Sequence, residues 1–220
     1  MASFGGGGQS DKGQALPSSL TDLMTSLAVI FILLLVVFLK QANDHSRKAK
    51  EQIENQLSQI LKEKSLNLAQ DPDDPLKLAV RVGEDVLRFS LGSAALSTGG
   101  VEFVDSFFLK FSEQLCAPKT REQIDSITVE GHTDRSGERT PDGVKFNIAL
   151  SQKRSYSVLE QALKSVQGKP ELYECLLKLA SASGRGSRSP VFEGTDYNAD
   201  RSRRVEIKIR VKSAEQTVHK

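Results

Sequence analysis

The chain has 220 residues, a formal net charge of +2 and 38% hydrophobic residues. A balance this near neutrality argues against nucleic acid as the main partner. Two cysteines, Cys116 and Cys175, without CxxC spacing argue against a cysteine-based zinc site.

Residues 1–19 begin MASFGGGGQSDKGQ and end in Pro17-Ser18-Ser19. The glycine run cannot bury a core, and Pro17 with two serines reads as a helix start. Residues 20–39, LTDLMTSLAVIFILLLVVFL, carry one ionisable group, Asp22. A helix of that length rises about 30 Å, the thickness of a bilayer's hydrocarbon core. The apolar run exceeds a signal peptide's core, no strongly basic segment precedes it and no small-x-small site follows, so an uncleaved transmembrane anchor is expected. The flank after it holds Lys40, Arg47, Lys48 and Lys50, against Lys12 and the terminal amine before it. Taken alone, that charge bias puts the C-terminal part in the cytoplasm.

Residues 40–75 form the next segment. Ile53, Leu57, Ile60 and Lys64 recur at 4-3-4 spacing among many charges. The stripe lasts under two heptads, which reads as a solvated helical stalk, with a short dimer seam as the alternative. Asp71-Pro72-Asp73-Asp74-Pro75 ends any helix and marks a boundary.

Residues 76–213 read as an α/β (α+β) domain, with residues 214–220 as a tail. Leu78, Val80 and Val82 alternate with polar neighbours, as do Leu87, Phe89 and Leu91, which suggests a hairpin or two short strands. Val101, Val104, Phe108, Phe111 and Leu115 mark a helix with one buried face. Ile127 and Val129 begin a strand, and a helix follows over about residues 147–166, with Val158, Leu159, Ala162, Leu163 and Val166 inward. Residues 171–180 add a further helix. Val205, Ile207, Ile209 and Val211 alternate in the clearest strand. The expected architecture is a mixed sheet with helices packed on one face and water on the other.

Two constellations stand out. The first is Gly131-His132-Thr133-Asp134 at a strand end, with Asn147, Leu150, Ser151 and Arg154 at a helix start. An acid and a guanidinium facing each other, beside free helix N–H groups, suit a zwitterionic ligand. The alternative is a structural Asp134–Arg154 salt bridge with Asn147 as helix cap. His132 has no evident metal partners and reads as structural, and no Ser/His/Asp or Cys/His arrangement supports hydrolysis. The second constellation is Asp22-Leu23-Met24-Thr25. Asp22 either favours the helix dipole near the interface or is a carboxyl that is neutral in a dry site and charged in a wet one, able to pass protons. Thr25, one turn along, can hydrogen-bond either form. The two thiols either form one disulfide in an oxidising compartment or remain buried small apolar residues.

The blocks SITVEGHTDRSG, FNIALSQKRSYSVLEQAL, SGRGSRSPVFEG and NADRSRRVEIKI resemble, in order, the OmpA-like peptidoglycan-binding domain over about residues 76–212. That resemblance implies that Asp134 and Arg154 hold the free ends of diaminopimelate in the peptide stem, with Asn147 and Leu150 lining the groove. It also implies a domain that binds the wall and does not cut it. Residues 135–144 look longer than usual for the family, residues 168–179 look inserted, and Ser155 stands where alanine is usual.

An acid-bearing span joined to such a domain resembles the MotB-type stator subunit, and the start and span most resemble the Zorya anti-phage branch of that family. The resemblance implies that Asp22 is the ion-carrying carboxylate, with H⁺ as the ion and no other cofactor. It implies two copies of this chain inside five copies of a MotA-like A subunit. A passive tether between membrane and wall, without ion transport, is the alternative. The resemblance further implies an inner-membrane protein with its N-terminus in the cytoplasm and its domain in the periplasm, against the charge bias. An oxidising periplasm shifts the balance toward a Cys116–Cys175 disulfide.

Overall fold

The computed structural model describes residues 15–90, 92–213 and 216. Expectations for residues 1–14, for Leu91 and for most of the tail lie outside these. The chain forms two compact units, divided between Asp44 and His45.

Helix α1 (Ala15–Glu63) contributes to both units. In the first unit every described side chain from 20 to 41 is exposed. Leu27, Phe31, Leu34 and Phe38 are each more than half exposed. A helix apolar on all sides whose described side chains are exposed suits lipid rather than water. It is long and apolar enough to cross a membrane.

In the second unit residues 46–63 are not a solvated stalk, nor do they offer a free seam for a dimer. Ala49, Ile53, Leu57, Ile60 and Leu61 are buried in the domain's own core. A short apolar stripe shows that one side of a helix is covered, not by what. Polar contacts frame the stripe. Thr120 Oγ1 donates to Gln56 Oε1 at 3.0 Å, Gln123 Nε2 donates to Gln52 Oε1 at 3.1 Å, and Lys110 Nζ lies 2.6 Å from Glu63 Oε2. The domain therefore begins near residue 45, about thirty residues before the Asp-Pro boundary.

After α1 come β1 (Leu68–Gln70), β2 (Lys77–Gly83), the single turn α2 (Glu84–Leu87), α3 (Thr98–Leu115), the short α4 (Pro118–Arg121) and β3 (Ile124–His132). Then follow α5 (Pro141–Val166), α6 (Pro170–Leu179), β4 (Ala180–Gly186), the hairpin β5 (Val191–Glu193) and β6 (Asp196–Asn198), the turn α7 (Ala199–Ser202) and β7 (Arg204–Val211). The main sheet has the order β1-β2-β7-β3-β4. Its pairs are antiparallel except β3 with β4, so the sheet is mixed. Leu78, Val80, Val82, Ile127, Val129, Val205, Ile207, Ile209 and Val211 point to the helix layer and are buried. Val104, Phe107, Phe108, Phe111 and Leu115 meet them from α3. Full burial of one such side chain is worth about 1.5–3 kcal/mol.

Three local expectations need correction. Residues 84–90 do not form the second strand of a hairpin. The acids Glu84 and Asp85 favour a helix start, Glu84 N donates to Arg203 O at 3.1 Å, and Arg88 turns left-handed at φ 48°. Phe89 then makes only an isolated bridge with Leu96. Next, α5 starts six residues before Asn147. Pro141 opens it and the Thr140 hydroxyl caps it by accepting from Gly143 N at 3.1 Å, so Asn147 is an interior residue and no cap. Last, Asp71-Pro72-Asp73-Asp74-Pro75 ends no helix, because α1 has already stopped at Glu63. It is the turn from β1 to β2, where Asp71 Oδ1 accepts from Asp73 N and Asp74 Oδ1 accepts from Leu76 N, both at 2.9 Å.

Cys116, the C-cap of α3, is bonded to Cys175 on α6, with Cα atoms 6.0 Å apart. The bridge fastens the segment that looked inserted, residues 168–179, to the rest of the core.

The packing of α1 gives a direct test. Leu57→Ala removes a fully buried side chain, and its expected cost is about 2–5 kcal/mol in denaturant unfolding of the full chain. A solvated stalk would lose almost nothing.

Candidate functional site

Asp134, Asn147, Leu150 and Arg154 line one cavity of about 500 Å³, together with Glu84, Phe89, Phe146 and Arg203. Its walls come from the end of β3, the first turns of α5 and the short turn α2. Glycine makes the approach of β3 to α5 possible. A Cβ on Gly131 would lie 2.1 Å from Ser151 O, and one on Gly184 of β4 would lie 2.4 Å from Gln152 N. Ser151 Oγ then accepts from Gly186 N at 2.9 Å, tying the helix to β4.

Arg154 is buried in the floor. Its Nε donates to Ser93 O at 3.0 Å, its guanidinium lies over the Phe89 ring at 4.9 Å, and its Nη2 meets Glu84 Oε1 at 2.7 Å. Asp134 receives Ser136 N on Oδ1 at 2.8 Å and Arg203 Nη1 on Oδ2 at 2.7 Å. Burial pushes the Asp134 carboxyl up, but Ser136 and Arg203 outweigh it and hold the group below its usual value. Asn147 Nδ2 donates to Ser136 O at 2.7 Å and to Asp134 O at 3.4 Å, fixing the loop that carries the acid.

The simple Asp134–Arg154 bridge is not the arrangement that forms. The ion partners are Arg203 for Asp134 and Glu84 for Arg154. The free helix N–H groups expected beside Arg154 are also absent from that place, since α5 begins at Pro141. What remains is an acid and a guanidinium on one small cavity with an apolar flank of Leu150, Phe89 and Phe146. Sequence reasoning missed Glu84 and Arg203, which stand far from the two motifs along the chain. The signal that was available is the pair Arg203-Arg204 just ahead of the clearest strand.

His132 is buried at the end of β3. Its Nε2 lies 3.2 Å from Glu130 Oε1 and 3.7 Å from Glu206 Oε2. These three groups have the closeness of metal ligands. Cations already occupy them: Lys208 Nζ sits 2.7 Å from Glu130 and 2.9 Å from Asp71, and Arg204 Nε sits 2.7 Å from Glu206. Arg81 and Arg185 add two further positive groups, so a metal ion would meet repulsion. The polar face of the sheet is thus a lattice of ion pairs, several of them buried, rather than a surface open to water.

Asp22 and Thr25 lie in the first unit. The Thr25 hydroxyl donates to the Asp22 backbone oxygen at 2.9 Å, and Ser26 does the same at 2.8 Å. Thr25 is therefore engaged with the main chain of Asp22 and not with its carboxyl group.

No family model matches the chain. The Zorya protein ZorB of Escherichia coli is 29% identical to it over 215 residues, which span 92% of this chain and 90% of that protein. A MotB-like protein from Desulfovibrio vulgaris shares the fold of this chain, with a TM-score of 0.53 and 22% identity over 79% of this chain and 98% of that one. The periplasmic domain of Helicobacter pylori MotB matches with a TM-score of 0.49 and 18% identity, over 70% of this chain and 85% of that one.

The buried cluster predicts a pH response. Burial holds His132 below its ordinary value, so as pH falls the unfolded chain takes up that proton first and folded stability drops. Glu130 adds a second limb. Burial pushes its carboxyl up, but the contact with His132 and the contact and charge of Lys208 bring it down to about 2. Its contribution is full above the unfolded carboxylate value of about 4.3 and is lost below it. The denaturation midpoint of the full chain is expected to fall as pH is lowered from about 7 to 5, and His132→Gln to flatten that limb. A wild-type midpoint constant over that range would refute the assignment.

Proposed function

We propose that the chain is the wall-anchored B subunit of an ion-driven stator in a Zorya-type anti-phage defence system. The observation that carries this reading is the likeness to ZorB along nearly the whole of both chains, span and domain together. The cavity that gathers Asp134, Asn147, Leu150 and Arg154 supports the same reading.

In this reading the cavity holds the diaminopimelate residue of a peptidoglycan stem. Asp134 takes the ammonium group and Arg154 the carboxylate, each through a charge-assisted hydrogen bond. Asn147 fixes the loop that presents Asp134, and Leu150 supplies an apolar wall. No step of bond cleavage is involved. Residues 20–39 cross the inner membrane, with the N-terminus in the cytoplasm and the domain in the periplasm. The Cys116–Cys175 disulfide suits that oxidising compartment.

Asp22 is the ion-carrying group, and Thr25 stays beside it through the backbone. A carboxyl surrounded by a helical partner loses water and takes a proton, and gives it up where water returns. The aliphatic run beyond it offers few oxygen ligands for sodium, which favours H⁺. The partners are a MotA-like A subunit of the ZorA kind, five copies around two of this chain, and peptidoglycan. With the domain fixed on the wall, ion passage turns the A ring against a stationary B pair.

Two substitutions test the two ends. Asp22→Asn is expected to leave co-purification with the A subunit intact and to abolish proton flux and phage protection. Full protection by that variant would leave a passive tether. Asp134→Asn is expected to weaken binding of the full chain to isolated sacculi by about tenfold or more, since a hydrogen bond to a charged group is worth about 1.5–3 kcal/mol. Unchanged sedimentation with sacculi would remove the wall-binding role.

A further inference from the structure

The cavity is already charge-satisfied by the protein itself. Glu84 reaches in from the start of α2, with Oε1 2.7 Å from Arg154 Nη2 and Oε2 2.6 Å from Arg203 Nε. Arg203 passes on to Asp134 through Nη1 at 2.7 Å. Four side chains thus alternate in sign: Asp134, Arg203, Glu84, Arg154. The outer two are the groups that the reading above offers to a zwitterion. The inner two are a guanidinium and a carboxylate, the same two kinds of charge that a zwitterion would bring.

We propose that Glu84, held by Arg203, is an internal stand-in for the ligand and determines its affinity, because the ligand's carboxylate displaces Glu84 from Arg154. This rests on the stem-peptide reading of the cavity.

The geometry explains why displacement, and not sharing, is required. The Arg154 side chain is only 6% exposed. Its Nε is committed to Ser93 O and its plane to the Phe89 ring. Its Nη2 is the group that Glu84 holds at 2.7 Å, so a carboxylate bound there takes the place of Glu84. Two carboxylates on one guanidinium at that depth repel each other with little water to screen them. Glu84 is the more exposed partner at 23%, and it stands on a single helical turn. It can swing outward at less cost than Arg154 can leave the floor. When it does, Arg203 goes with it as a paired charge, so neither is stranded. Arg203 also pairs with Asp200, which gives it a second anchor outside the cavity. As Arg203 yields Asp134 to the incoming ammonium, every charge finds a new partner.

The test uses the full chain in detergent, titrated by calorimetry with a muropeptide containing meso-diaminopimelate and with one containing lysine, which lacks the competing carboxylate. Glu84→Gln keeps the shape of the side chain and removes its charge. It is expected to tighten the diaminopimelate probe about tenfold, equivalent to about 1.4 kcal/mol, and to leave the lysine probe unchanged. Equal or weaker binding of the diaminopimelate probe by Glu84→Gln, with the wild type binding it and Asp134→Asn losing it, overturns the proposal and keeps the stem-peptide site. A wild type that binds neither probe, or an Asp134→Asn variant that binds as well as wild type, removes the stem-peptide reading and the proposal with it. Should Glu84→Gln fail to fold, Glu84→Asp withdraws the carboxylate by one methylene and carries the same expectation.

Discussion

The contact on which the site depends is the one between Gly131 of β3 and Ser151 of α5. A side chain at 131 would drive a Cβ to 2.1 Å from the Ser151 carbonyl oxygen, so any other residue forces strand and helix apart. Asp134 lies three residues beyond the glycine, and Arg154 lies three residues beyond the serine. Their shared cavity is therefore set by how closely two backbones can approach. The Gly184–Gln152 contact on the neighbouring strand and the Ser151–Gly186 hydrogen bond hold the same helix from a second side. A gap of one methyl group here would move both Asp134 and Arg154, although neither takes part in the contact.

Much of this fold was legible in the chain. Alternation in β7 and β2, the phenylalanine-rich face of α3 and the long apolar run each reflect one strong periodic signal with one physical cause. The signals that failed were those that name a covered face without its cover. Ile53, Leu57 and Ile60 announce burial on one side of a helix, but its partners include Thr120 and Gln123, which stand 64 and 71 positions from the glutamines they meet. β4 reads ASASGRG and has no β-branched residue, so nothing marks it as a strand. It forms because parallel pairing with β3 satisfies its backbone and because small residues let α5 lie close. The left-handed Arg88 and the helical turn before it broke the alternation expected through Leu91.

The site was legible in its outer members only. Asp134, Asn147, Leu150 and Arg154 sit in two local motifs, and the fold brings them to one cavity. Glu84 and Arg203 are separated by 119 residues and meet only because β2 lies beside β7. The same long-range pairing explains the ion lattice on the sheet. Glu130, Glu206 and Lys208 each look like a solvent-facing position of an alternating strand. In the folded sheet they face one another, and long side chains cover short ones.

A cavity whose charges are satisfied before the ligand arrives favours selectivity over raw affinity. In the free protein and in the complex proposed here, every buried charge has a partner, and the net gain is the small difference between two sets of ion pairs. A ligand with both charges completes the exchange. One that lacks the carboxylate cannot release Glu84, and one that lacks the ammonium group leaves Asp134 to Arg203 and gains nothing there. Each incomplete ligand leaves one of the internal pairs in place and gains only half of the exchange. On the stem-peptide reading, such a site favours a ligand that carries both ends of a zwitterion over one that carries a single charge. In the stator role proposed for this chain, the place of attachment depends on that match, and the strength of hold on the small remainder that the proposal assigns to Glu84.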